Sequence, residues 1–124
     1  MLSTKKLLYK LTNRVRPAER FPVQSASSKF GTNYNSVGEY FPATDTVIFT
    51  FSWRASSNVT GSDVLFTLPP AYRPASTWNC SGIVVTDTSI VLGASYSVNA
   101  AGEIHFDGST SYGRNGYGVL VFPI

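Results

Sequence analysis

Asp63-Val-Leu-Phe-Thr-Leu-Pro-Pro-Ala-Tyr-Arg-Pro74 runs as a strand and then stops on a corner braced by prolines. Val64, Phe66 and Leu68 alternate with Asp63, Leu65 and Thr67, the period-two pattern of a strand with one buried face. Pro69 and Pro70 remove two backbone donors and hold φ near about −65°, so a sheet ladder cannot continue through them. Arg73-Pro74 adds a second stiff step, because a residue before proline is driven towards extended geometry.

Working outward from this corner, short strands separated by turn clusters fill the rest of the chain. The spacing predicts strands at Val37–Phe41, Thr46–Arg54, Asp63–Leu68, Thr77–Cys80, Ile83–Thr86, Ile90–Leu92, Ala94–Val98, Glu103–Asp107 and Gly118–Phe122. Asn99-Ala-Ala-Gly102 reads as a hairpin loop, with glycine available for the left-handed position. With 124 residues, 14% aromatic and only 14% charged, the chain suits one all-β domain with many turns. The expected architecture is an antiparallel, jelly-roll-like β-sandwich preceded by a short helix.

That helix is expected within residues 1–16. Leu7, Leu8, Leu11 and Val15 fall on one helical face, Lys5, Lys6, Lys10 and Arg14 surround it, and Pro17 ends it. Two readings stand for it, a short trimerising or docking bundle and a basic membrane-surface helix. Residues 17–29, with Pro17, Pro22 and several serines, read as a linker, and 30–124 as the β-domain. Lys10 and Arg14 interrupt the N-terminal apolar stretch too early for a cleaved signal peptide, and no run is long enough to span a membrane.

Charge is divided unevenly along the chain. Residues 1–20 carry six basic residues against Glu19 alone, whereas the remainder carries four basic against six acidic residues. The sequence pI of about 9.2 therefore describes the tail. A nucleic-acid interface needs Lys and Arg clustered through the folded region, and that pattern is absent from the sequence. Cys80 is the one cysteine, so no intrachain disulfide forms, and the expectation is a small half-buried thiol. The sequence contains no P-loop, dinucleotide fingerprint, zinc spacing or G-x-S-x-G turn, and the chain reads as a non-enzyme needing no cofactor.

Leu68-Pro-Pro-Ala-Tyr-Arg-Pro74 resembles the "LPxxYRP" element of C-terminal head domains in bacteriophage receptor-binding and tail-fibre proteins, especially of phages infecting Gram-positive bacteria. The aromatic strand Val47–Arg54, the hairpin Ala94–Asp107 and the ending Gly118–Ile124 follow in the order such heads show, so the resemblance covers roughly residues 30–124. One position departs: Ala71 stands where glycine is common, which puts the local turn in question. The resemblance implies a homotrimeric module of the virion tail tip or baseplate. It also implies binding to host cell-wall or surface polysaccharide, and contacts with other tail proteins through residues 1–20. A non-binding assembly subunit and a polysaccharide depolymerase are the alternatives.

Candidate saccharide contacts follow from residue type. Asp107 to Gly118 is rich in glycine and includes Tyr112, Arg114 and Tyr117, suited to stacking on a sugar ring and donating hydrogen bonds; loop or subunit contact is the competing reading. Glu103, His105 and Asp107 share one strand face, with neighbours roughly 6.5–7 Å apart and the outer pair about 13 Å apart. That separation is too wide for paired glycosidase carboxylates, leaving a solvated face, a saccharide contact by His105 or Asp107, or part of a metal site. Trp78 either plugs the end of the sandwich or lies exposed. Tyr72 and Arg73 are assigned to the corner itself, the ring over the prolines and the guanidinium on backbone carbonyls or an acidic neighbour.

Overall fold

A computed structural model describes residues 17–23, 25–26, 36–85, 90–108 and 114–124. Eight strands form one antiparallel sheet: β1 Glu19–Pro22, β2 Val37–Phe41, β3 Thr46–Arg54, β4 Phe66–Thr67, β5 Trp78–Val85, β6 Val91–Val98, β7 Glu103–Phe106 and β8 Asn115–Pro123. Their order across the sheet is β1-β2-β3-β8-β5-β6-β7-β4. β3 pairs with β8, β4 with β7 and β5 with β6, a nested set of the kind that jelly-roll winding produces.

The expected pair of separate sheets is corrected to one curled sheet, a half-barrel. β8 pairs with β3 along its whole length, from Thr46↔Pro123 to Arg54↔Asn115. Its pairing with β5 covers only Gly82↔Gly118 to Val85↔Asn115, so the two strands part beyond Gly118. The far edges curl towards each other. Ser25, just past β1, bridges Phe66 of β4, and the Ala26 N–H donates to the Leu65 carbonyl at 2.9 Å. The described residues hold no α-helix, and the helix expected over 1–16 lies outside them.

The inner face explains the curl. Val47, Phe49, Phe51 and Trp53 alternate along β3 and are buried, as their spacing predicts. They meet Phe66, Tyr96, Leu120 and Phe122 in a core dominated by rings. Phe51 and Tyr96 pack edge to face with ring centres 4.9 Å apart, and Trp53 lies against both Tyr96 and Phe106. The polar ends of these rings are satisfied. Trp53 Nε1–H donates to the Tyr96 hydroxyl at 3.2 Å, and that hydroxyl lies 3.1 Å from the Ile83 carbonyl, to which it donates. Burial pushes the Tyr96 phenol well above its ordinary pKa.

Rings this large need backbone without side chains beside them. A Cβ at Gly116 would lie inside the Trp53 indole, and one at Gly118 would lie 2.5 Å from Phe51 Cζ. These glycines are strand residues seated under rings. They are not loop residues, which corrects the placement of 115–117 in a loop.

The proline corner is held from three sides. Pro70–Tyr72 form a single 3-10 turn, closed by the Tyr72 N–H donating to the Pro69 carbonyl at 3.0 Å. Ala71 sits within this turn and takes no positive φ, so glycine is not required there. Arg73 Nε donates to the Leu68 carbonyl at 2.9 Å, as the sequence reading expects of its guanidinium. The Tyr72 ring stacks on Phe21 of β1 (centres 3.9 Å apart, planes 3° apart), and its hydroxyl donates to the Glu19 carboxylate at 3.0 Å. That bond raises the Tyr72 pKa.

Other expectations shift in detail. The stretch read as linker contributes β1, with Phe21 and Val23 in the core. Ile83–Thr86 and Thr77–Cys80 merge into β5, and Ile90–Leu92 with Ala94–Val98 into β6, because Gly82 and Gly93 lie within ladders and not in turns. β4 is shorter than expected. Leu65, Phe66 and Leu68 are all buried, since the chain there is covered on one side by β7 and on the other by residues 25–26. At the β6–β7 hairpin, Gly102 takes φ +77° and its carbonyl accepts from the Leu68 N–H at 2.9 Å, which ties the corner to the hairpin.

Candidate functional site

Alternation that buries the rings sends the other side chains of β3, β8, β5, β6 and β7 to the outer face. Cross-strand register places Ser52, Tyr117, Ile83 and Gly93 in one row. Ser81, Ser95 and the Asp107 backbone lie in the next, and Ser97 pairs with His105. On β5, β6 and β7 this face carries Asn79, Ser81, Ser95, Ser97, His105 and Asp107, with Ile83 and Val91 exposed at the end towards the β5–β6 connection.

Where β8 leaves β5, the outer face opens into a shallow groove of about 400 Å³. Thr50 and Ser52 line it from β3, Ser81 and Ile83 from β5, and Tyr117 and Val119 from β8; Gly82 and Gly118 form part of its lining. Cys80 sits at the parting of the strands. Burial raises its thiol pKa, while a hydrogen bond with the Val119 backbone works against that rise. The thiol is half-buried, as expected, and is no exposed nucleophile.

The candidate residues separate on inspection. Tyr117 stands on the outer face of β8, 40% exposed, at the wall of the groove. Its ring offers a face and an edge to a ligand, with the hydroxyls of Thr50, Ser52 and Ser81 around it. His105 and Asp107 lie on the same outer face, three strand spacings from β8, roughly 14 Å away. Their groups already have protein partners. His105 Nδ1 is 3.1 Å from the Gly61 carbonyl, and the Asp107 carboxylate accepts from Ser95 Oγ at 3.4 Å and Ser97 Oγ at 3.3 Å. Glu103 is held by Asn99, whose Oδ1 accepts from the Glu103 N–H and whose Nδ2 donates to its carboxylate, both at 3.0 Å. The triplet lies along one face, with Glu103 and Asp107 bonded within the β6–β7 hairpin and His105 to the loop that holds Gly61.

Arg114 is half-buried beside the start of β8, and its carbonyl accepts from the Ala55 N–H at 2.9 Å, so it anchors the strand entrance. Trp78 is 40% exposed at the start of β5, paired with Val98 and remote from the groove in sequence register. Tyr112 lies outside the described residues. Among the described residues no three His, Cys, Asp or Glu side chains come together as a metal cluster. Sequence reasoning missed Thr50, Ser52 and Ser81: small hydroxyl residues on a strand carry no signal until the register sets them beside an aromatic ring.

The fold has a solved counterpart. It is similar to the receptor-binding protein (gp15) of Listeria phage PSA, with a TM-score of 0.64 over 97% of this chain and 72% of that one, at 13% sequence identity. No family model matches the chain, and no curated protein sequence matches it. At this identity the likeness is one of fold.

Proposed function

We propose that this chain is a receptor-binding domain of a phage tail that takes host cell-surface saccharide into the groove beside Tyr117. The observation that carries the reading is the exposed Tyr117 ring beside Thr50, Ser52 and Ser81 in a groove whose lining residues carry no charge. Sugars present apolar ring faces and neutral hydroxyls, and an aromatic ring among hydroxyl donors and acceptors complements both. Support comes from the fold it shares with a phage receptor-binding protein and from the "LPxxYRP" corner. In this reading the domain works in the virion as a homotrimer, without enzymatic activity. Weak single sites gain from three copies acting together through effective concentration. Residues 1–20 join it to other tail proteins.

The test is binding of the purified full chain to cell-wall polysaccharides from Gram-positive bacteria, Listeria included, by calorimetry. At least one polysaccharide should bind, and Tyr117→Ala should weaken it by about tenfold or more with the circular dichroism spectrum unchanged. A folded protein that binds none of them, or binds equally well without the ring, would favour the second reading of a purely structural tail subunit.

A further inference from the structure

The groove beside Tyr117 carries no charge, but the row of residues next to it does. Register carries the outer face from Ser52, Tyr117 and Ile83 to Arg54, Asn115 and Val85, two residues along each strand. Arg54 is exposed, and among the described residues its guanidinium has no ion pair, hydrogen bond or ring contact. One strand over and two residues along, its Cα stands about 8 Å from that of Tyr117, and the long side chain reaches well into that gap. Asn115 adjoins both, and its Oδ1 is buried with no hydrogen-bond partner. Such an acceptor costs free energy until a donor meets it, and a ligand hydroxyl is a donor.

We infer that the saccharide held at Tyr117 is an anionic one, whose phosphate or carboxylate lies on Arg54 in the adjoining row. The inference rests on the groove reading above and names the class of sugar that the site takes. Charge sets the direction in which the polymer runs. Towards β7 stands Asp107; burial, with the Asp107 charge adding to it, raises the Cys80 thiol pKa, so that charge is felt where β5 and β8 part. An anion is repelled on that side. Towards Val121 the next charges are Glu39 and Arg20, which stand opposite each other and cancel. Arg54 is thus the unbalanced cation of this face among the described residues. The row it stands in is also graded, from the guanidinium on β3 through the Asn115 amide to the apolar Val85 and Val91 on β5 and β6. A sugar ring lying over Asn115 meets an apolar surface on one side and a planar cation on the other, so its acidic substituent faces β3. Guanidinium suits either oxyanion, because its paired N–H donors match two oxygens at once.

The experiment is calorimetry of the full chain with Gram-positive wall polysaccharides separated by anion exchange into phosphate-bearing, uronate-bearing and neutral polymers. One of the two anionic fractions should bind more tightly than the neutral one, and which of them does so names the anion. Its affinity should fall as salt is raised. Arg54→Ala should weaken that fraction about five- to tenfold at low salt and remove most of the salt dependence, with the circular dichroism spectrum and any neutral binding unchanged. Arg54→Lys should restore part of the loss, since it keeps the charge without the paired donors. Tyr117→Ala should weaken every fraction that binds. A neutral fraction that binds as tightly as the anionic ones overturns the assignment and leaves the groove reading in place. So does an Arg54→Ala variant that keeps its anionic affinity within about twofold, or that loses neutral and anionic polymers equally. If no fraction binds the unaltered chain, the groove reading falls and this inference falls with it.

Discussion

Removing one oxygen from the centre of the core tests the account of the aromatic cluster. Tyr96 is buried, and its hydroxyl accepts from Trp53 Nε1–H at 3.2 Å and donates to the Ile83 carbonyl at 3.1 Å. Tyr96→Phe keeps the ring and its edge-to-face contact with Phe51 but deletes both bonds. A buried polar group that loses its partner costs about 1–3 kcal/mol, so the variant should lose about 2 kcal/mol of stability, equivalent to a Tm lowered by roughly 10 °C. The same hydroxyl gives a second signature. Its pKa is raised in the folded state, so above pH 10 the unfolded chain releases this proton while the folded chain keeps it. Its contribution is fully present below about pH 10 and is lost as pH rises towards the folded pKa, at up to about 1.4 kcal/mol per pH unit. Tyr72 shifts in the same direction, and the difference between the unaltered chain and Tyr96→Phe isolates Tyr96. Urea denaturation at pH 7 and pH 11 measures both effects. A variant within 0.5 kcal/mol (an order-of-magnitude threshold) of the unaltered chain at pH 7, with the same alkaline slope, would refute the assignment.

Two further predictions address the backbone. Gly116→Ala and Gly118→Ala place a methyl group against the Trp53 and Phe51 rings and should each cost about 1–3 kcal/mol by thermal denaturation. Gly93→Ala, where a Cβ meets nothing within 4 Å, should stay within about 0.5 kcal/mol. Arg73→Ala removes the donor to the Leu68 carbonyl and the side chain lying over Gly102. It should cost about 1–2 kcal/mol and speed amide exchange at Leu68 and Gly102, read by NMR, because the corner and the hairpin are tied at that point.

How far the fold could be read depended on whether a residue's reason for being there was local. β3 was legible to the residue because Val47, Phe49, Phe51 and Trp53 carry their periodicity in the chain itself. β1 was not. Pro17 precedes it and Pro22 ends it, only Phe21 of its four residues is buried, and the partner that makes it a strand is β2, some fifteen residues on. Gly82 and Gly116 read as turn residues for one reason: glycine in sequence signals a turn, while here each answers to a ring or carbonyl supplied by a distant strand. That error broke β5 in two and put Tyr117 in a loop. It did not hide Tyr117 as a candidate, since exposed aromatic character shows in either setting. Thr50, Ser52 and Ser81 join the site only through the cross-strand register, and His105 and Asp107 stand apart from the groove with hydrogen-bond partners of their own.

The position of β8 governs the order in which the domain can come into being. The last strand of the chain lies fourth in the sheet, between β3 and β5. Without it the sheet falls into two pieces, β1-β2-β3 and β5-β6-β7-β4, whose edges meet only where residues 25–26 bridge Leu65 and Phe66. On a ribosome the first piece must wait with its apolar side chains unsealed until residues 115–123 emerge, and non-local closure of this kind is slow. The waiting halves are exposed to aggregation, and a chain cut short before Asn115 has no seam to close. The molecule is thus a proofreader of its own synthesis, in which only a chain translated through β8 closes the sheet and forms the groove beside Tyr117.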